Sequence, residues 1–353
     1  MPDNSIFIEP IPTIESCWRH IVLMGANDKC YKFALGKSLL ELANEQKTFV
    51  SLEELAIPFT KFTLEHIKTA PKQGGNAKPP GKFLIGCQEL LEEKITKEEL
   101  FKEARKNLSV KVSVVQKFHH SYNSTESIPK VFFEDDRKSK GGLTFRDDLF
   151  RLVESKQSTN LNREIEGRWK LVETAWKLNI ADKLILPIGY DKKNEYLYEI
   201  LEGSERTAIT SARDGLNGYQ KGKCFYCFRN ISALSNLNDT ADVDHFLQHH
   251  LKFKSSIKIQ NLNGVWNLVL ACRDCNRGSG GKFGFVPDIK YLYRLNKRNN
   301  FLIKSHDPLG KVIVQQTGST VKARENFLNS NWSKAKDLLV HTWRAPDELD
   351  TTF

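Results

Sequence analysis

Through residues 1–203 the apolar positions recur mostly every three or four residues, the spacing of helices with one buried face. Ile14 to Met24 keeps this rhythm. Asn27 and Asp28 are placed to cap the next helix, which runs through Tyr31, Phe33, Ala34, Leu35, Leu39, Leu40 and Leu42. Ser51-Leu-Glu-Glu54 is a capping box and predicts a helix towards Lys68. Pro71 to Gly81 is too rich in Pro and Gly for regular structure and reads as a loop. Short helices are expected around Cys87–Glu93 and Lys97–Asn107. Val110 to Phe118 alternates enough for a strand, and a helix fits it too. Phe145–Lys156 and Leu161–Leu178 read as helices, the second with Trp169, Val172 and Trp176 on one face.

The pattern changes after Gly203-Ser204, which opens a new unit. Thr207 to Gln220 reads as a helix. Asp242–His245 is a short strand and Val265–Ala271, β-branched and apolar, a second one. A helix is expected after Cys275, its first turn weakened by Gly278, Gly280 and Gly281. The order is strand, strand, helix, with a long polar connection between the strands. The fold class is therefore α+β: a mainly helical region over 1–203, a small mixed domain over 204–285, and an extension over 286–353. No internal repeat is visible.

With 353 residues and 40% hydrophobic content, the chain can bury a sizeable core. No apolar run is long enough to cross a membrane, and the first residues lack a signal peptide's basic and apolar regions. A cytoplasmic location is expected. Seven cysteines without an export signal point to metal ligation rather than disulfides; Cys17, Cys30 and Cys87, scattered singly, read as buried thiols. Charge is uneven. Residues 221–353 hold 20 Lys+Arg against 11 Asp+Glu, whereas residues 1–220 hold 33 against 32. A basic C-terminal region attracts polyanions, nucleic acid first among them. The near-neutral N-terminal region suits docking of a partner protein or target choice.

Candidate chemistry concentrates in the same basic region. Cys224-Phe-Tyr-Cys227 is followed, after 44 intervening residues, by Cys272-Arg-Asp-Cys275. Two CxxC pairs at this separation read as a closed tetrahedral site for structural Zn²⁺. Between them lies Asp242-Val-Asp244-His245, and the second pair runs into Asn276-Arg277-Gly278. His245 titrates near neutrality when unperturbed and can deprotonate water. The Asp244 carboxylate and the Asn276 amide oxygen are hard donors suited to Mg²⁺ or Mn²⁺. Arg273, Arg277 and Lys282 are candidate phosphate contacts. Asp242 is either a partner of His245 or a solvated strand end. His119-His120 has no partner motif, Glu134-Asp135-Asp136 reads as a charged turn, and Trp18, Trp169 and Trp176 as core.

In these residues the chain resembles the HNH endonucleases, over roughly 210–285. The run Asp-Val-Asp-His, an Asn in the second strand and Asn-Arg-Gly ahead of a Lys are similar to the HNH domain of RNA-guided CRISPR nucleases. Paired CxxC knuckles occur in many HNH proteins of restriction and phage-defence systems. The resemblance implies a zinc-stabilised ββα-metal finger that hydrolyses DNA phosphodiesters with Mg²⁺ or Mn²⁺. It implies His245 as general base, Asp244 and Asn276 as ligands of the catalytic cation, and Asn267 as an orienting residue that bonds backbone. It also implies a role in restriction or antiviral defence. The chain departs from the pattern at Gln248, where the family often has Pro; His249 and His250 follow in the same turn. The competing reading is an adaptor that keeps the finger as a zinc-stabilised scaffold for nucleic acid or protein, without catalysis.

Overall fold

Local sequence signals and long-range pairing together set the elements, seen here in a computed structural model. The structure describes residues 12–75, 79–110, 113–119, 128, 131–177, 188–200, 206–234, 239–253, 259, 261–350 and 353. The chain is α+β and divides into two compact units, Met1–Asp182 and Lys183–Phe353. The second unit thus begins ahead of the expected boundary at 203/204. A three-stranded sheet leads directly into the helix before the first cysteine pair and belongs with it. No helix among the described residues is long and apolar enough to cross a membrane.

In the first unit, α1 (Ile14–Arg19) is capped by the Thr13 hydroxyl and continues as a π-helical turn over His20–Met24. α2 (Tyr31–Ala43) starts at Cys30 with no side-chain cap, so Asn27 and Asp28 do not serve as expected. Their turn is held instead by Gln73 and Gly75: Gly75 N donates to Asp28 O, and Cys30 N donates to Gln73 O. β1 (Phe49–Ser51) runs into α3 (Leu52–Ile67), where Ser51 and Glu54 form the predicted capping box. α4 (Lys82–Leu91) starts earlier than expected, with Phe83 and Leu84 buried beside Cys87. α5 (Lys97–Ser109) opens on a second capping box, from Thr96 and Glu99.

The ambiguous stretch contains a single helical turn, α6 (Val114–Lys117). Glu134-Asp135-Asp136 proves to be strand: β2 (Phe133–Asp136) pairs antiparallel with β3 (Gly142–Phe145), which also pairs with β1. α7 (Asp147–Glu154) and α8 (Ser158–Lys177) complete the unit, and Trp169, Val172 and Trp176 are all buried. Leu178, the expected end of α8, and Gly203-Ser204 lie outside the described residues, as does His120. His119 is tied into the fold, accepting from Phe132 N. Cys17, Cys30 and Cys87 are fully buried thiols, and Trp18 is core. One buried cluster stands out. The His66 ring lies 3.6 Å from that of Trp169, nearly parallel to it, with Nδ1 2.7 Å from Glu173 and Nε2 3.2 Å from Glu166.

The second unit opens with β4 (Ile188–Asp191), β5 (Tyr196–Ile200) and β6 (Arg206–Ser211), an antiparallel meander. β6 occupies the first third of the predicted Thr207–Gln220 helix. Its β-branched Thr-Ala-Ile-Thr stretch is claimed by pairing with β5, and α9 (Ala212–Gln220) begins only at the Ser211 cap. β7 (Asp242–His245) and β8 (Leu268–Ala271) pair antiparallel, Asp244 opposite Val269 and His245 opposite Leu268. Val265–Asn267, expected as the start of that second strand, is a 3₁₀ turn. α10 (Arg273–Arg277) begins before Cys275 rather than after it, and Gly278 ends it. β9 (Val286–Pro287) pairs in parallel with β10 (Thr342–Trp343), and between them run α11 (Ile289–Lys304), α12 (Pro308–Thr317) and α13 (Val321–Leu339). The extension over 286–353 is thus mainly helical, and Tyr291 and Trp343 pack their rings around Tyr226.

Candidate active site and metal centre

The four cysteines meet. Cys224, Cys227, Cys272 and Cys275 place their sulfurs within 4.8 Å of one another, and Cys227 Sγ and Cys272 Sγ are 3.7 Å apart. Four thiolates about 2.3 Å from a central Zn²⁺ would be separated by about 3.8 Å, so the cluster fits such an ion. The first pair sits on a tight loop in which Cys224 N donates to Arg229 O and Phe228 N to Cys224 O. The second pair brackets the start of α10: Cys272 is its N-cap, and Asn276 N donates back to Cys272 O. Phe225 N donates to Leu270 O, so the first loop hangs on β8. From α11, the Arg294 guanidinium donates to Phe225 O (2.6 Å) and Tyr226 O (2.9 Å). Mutual hydrogen bonding, from Cys224 first, lowers the Cys272 thiol to about 7, while burial raises Cys224. All four positions are thiols, so an ion held by all of them would have no open coordination position, as at structural zinc sites.

Beside this cluster a pocket of about 470 Å³ is lined by Asp244, His245, Asn276, Arg277, Lys282 and Phe283, among others. The strand end delivers Asp244 and His245 together. Their side chains are largely buried, and the pocket reaches both. His245 Nε2 lies 3.2 Å from Asn263 Oδ1, which leaves Nδ1 as the free acceptor when Nε2 carries the proton. Burial, helped by His249, Lys192 and Lys282, lowers the His245 pKa to about 3, so the ring is neutral throughout the physiological range.

Asp244 faces a different environment. Tyr226 Oη donates to its Oδ2 at 2.7 Å, and Lys282 Nζ lies 3.0 Å from its Oδ1. Burial raises the Asp244 carboxyl and lowers the Lys282 ammonium, each opposed by the other's charge. The Lys282 side chain occupies the position beside Asp244 Oδ1. Lys282 also donates to His245 O at 2.6 Å. It is only 1% exposed, so it is not the surface phosphate contact the sequence suggests. The reason is the glycine turn. Gly280 adopts φ +80°, and a Cβ on Gly281 would lie 2.7 Å from Asp274 O, so the chain folds tightly back on α10. Lys282 N then donates to Cys275 O, which aims the side chain inward.

Asn276 lines the pocket, its Nδ2 donating to Asp242 Oδ2 at 3.0 Å. Asp242 is thus neither a partner of His245 in this arrangement nor a bare strand end: it positions Asn276 and pairs with Arg277, 3.0 Å away. Arg277 is exposed at the pocket edge, and Arg273 is exposed away from the pocket lining. Asn267, fully buried, lies behind the site. Its Oδ1 accepts from Leu247 N, and its Nδ2 donates to Leu247 O and Leu262 O, each at 2.8 Å. Leu247 follows His245 by two residues and Leu262 precedes Asn263, so one side chain joins the two loops that hold the imidazole. Gln248, the departure noted in the sequence, is buried, and its Nε2 donates to Phe283 O and Phe285 O. His249 is half-buried at the pocket and His250 exposed.

Sequence reasoning passed over three residues here. Tyr226 sits inside a cysteine knuckle, where its neighbours drew the reading. Asn263, in an Asn-Gly pair, looks like ordinary turn chemistry. Lys192 reaches the pocket lining from the β4–β5 turn. Comparison with protein-family models, curated proteins and solved structures finds no match for this chain.

Proposed function

We propose that the chain is a metal-dependent DNA endonuclease of the HNH type, with strands β7 and β8 and helix α10 as its ββα-metal finger and Zn²⁺ on the four cysteines. One observation carries this reading: a neutral histidine, a buried carboxylate and an amide converge on one pocket directly beside a four-thiol cluster. His245 takes a proton from the attacking water through Nδ1, its ring held by Asn263 and the loops held by Asn267. With a pKa near 3 the free ring is a weak base. A phosphodiester entering the pocket brings negative charge that stabilises the imidazolium and raises this value towards the range where general bases work best. Asp244 and Asn276 would hold a Mg²⁺ or Mn²⁺ ion, which would supply charge neutralisation for the phosphate and leaving oxygen. Arg277 contacts phosphate from the rim. The resemblance of the motif suggests restriction or antiviral defence as the setting, with the first unit choosing the target or docking a partner.

One observation favours the adaptor reading instead. Lys282 and Tyr226 already engage both oxygens of Asp244, so a cation there requires the ammonium to withdraw. Plasmid cleavage separates the two. The wild-type chain should nick supercoiled DNA with Mg²⁺ or Mn²⁺, and EDTA should stop it. His245→Ala should lower the rate by about 10²–10⁴-fold while keeping zinc and DNA binding. DNA binding without cleavage by pure wild-type protein under every metal condition would leave the adaptor.

A further inference from the structure

Phe283 has an unusual setting for so large an apolar ring. It is 75% exposed, the most exposed of the large hydrophobic residues described, and it lines the same pocket as Asp244 and His245. Its backbone sits at φ 22°, a region bulky side chains rarely adopt. The loop carrying it is fastened on both sides. Phe283 N donates to Asn276 O and Phe285 N to Lys282 O, while the buried Gln248 amide donates to the carbonyls of Phe283 and Phe285. Gly284 beside it has open space where a Cβ would be. The ring is therefore held out at the pocket mouth by a braced backbone. The lining around it carries Lys192 and the exposed Arg277, which also pairs with Asp242, beside the buried Lys282–Asp244 ion pair. A polyanion suits that lining, and an exposed aromatic ring beside a phosphate site suits a nucleobase.

Resting on the nuclease reading, we infer that Phe283 is a stacking platform for the base next to the scissile phosphate. In an intact duplex both faces of a base are covered by its neighbours. A ring can stack only where a base is unpaired, flipped or displaced. The preferred substrate is then a DNA strand with an unstacked base at the cleavage position: a bubble, a mismatch or a single-stranded segment. Cationic contacts in the pocket set overall affinity, whereas Phe283 sets the preference for unpaired over paired DNA.

The test uses the full chain carrying His245→Ala, so that DNA is bound but not cut. Its affinity is measured for a bubble duplex and for the fully paired duplex of the same length, at several salt concentrations. Adding Phe283→Ala should weaken bubble binding roughly 5- to 150-fold, the span of one base–aromatic stack, and leave paired binding nearly unchanged. The salt slope should not change, because no charge is removed. Phe283→Trp should keep the bubble preference. Zinc content confirms that each variant is folded. An unchanged bubble preference in Phe283→Ala, with DNA binding intact, overturns the stacking role and leaves the nuclease reading standing. Failure of the chain to bind either DNA overturns both.

Discussion

Asn267 offers the sharpest check on how the candidate site is held. Its side chain is fully buried and makes three hydrogen bonds, all to backbone. Asn267→Ala strips the partner from one buried N–H and two buried carbonyls. A buried polar group left without its partner costs about 1–3 kcal/mol, so the loss should be at least about 3 kcal/mol, before any offset from water entering the space. In a unit of this size each kcal/mol lowers the melting temperature by roughly 2–4 °C, and the variant should melt roughly 6–12 °C lower. Asn267→Asp should be worse at neutral pH. It keeps the acceptor for Leu247 N but turns an anionic oxygen towards the carbonyls of Leu247 and Leu262. The assay is thermal unfolding followed together with zinc release to a chromogenic chelator, which reports the second unit specifically. A melting point within about 2 °C of wild type for Asn267→Ala, or an Asp variant more stable than the Ala variant, would refute the clamp.

Two further outcomes are expected. Purified chain should carry one tightly held Zn²⁺, and Cys272→Ser should lose it together with near-ultraviolet signals of the second unit, because binding energy at such sites is folding energy; metal analysis of folded, zinc-free wild type would contradict this. His66 should make the first unit less stable as pH rises: burial alone lowers its pKa, but the bonds to Glu166 and Glu173 win and raise it above 6.5. Its contribution is then complete below about pH 6.5 and lost as pH climbs through the folded value, so His66→Gln should flatten that decline, and a wild-type-minus-variant difference constant from about pH 6 to 9 would count against the imidazolium.

The four-cysteine cluster and its surroundings were the most legible part of the chain because the signal is local: two pairs at fixed spacing, and a strand whose bounds, Asp242–His245, follow from its own residues. Capping boxes at Ser51 and Thr96 act within one turn, and the Ser51 box was readable for the same reason. What stayed hidden depends on distant partners. Thr207–Ser211 has enough polar residues to continue a helix, and only the neighbouring strand β5 makes it a sheet element. Lys282 reads as surface charge until the Gly278–Gly281 turn folds it under His245. Strands of three or four residues, such as β1 and β2, are too short to show a period. Asn267 was singled out from the motif, but the loops it joins, one at Leu262 close by in sequence and one at Leu247 twenty residues before Asn267, come together only in the folded unit.

The parallel pairing of β9 with β10 has a consequence for synthesis. Val286 N donates to His341 O, Trp343 Nε1 to Gly280 O, and Leu349 N to Cys227 O, so the loop carrying Lys282 and the first cysteine loop are both fastened by residues made some sixty or more positions later than the last cysteine. A chain emerging from the ribosome can gather its four thiols once Cys275 is out, yet the walls around His245 and Asp244 stay unbraced for several seconds more, at about 5–20 residues per second. The pocket is completed last. A fragment ending before residue 341 would lack these bonds to both loops, so breakage or premature termination would leave the pocket and the first cysteine loop unbraced.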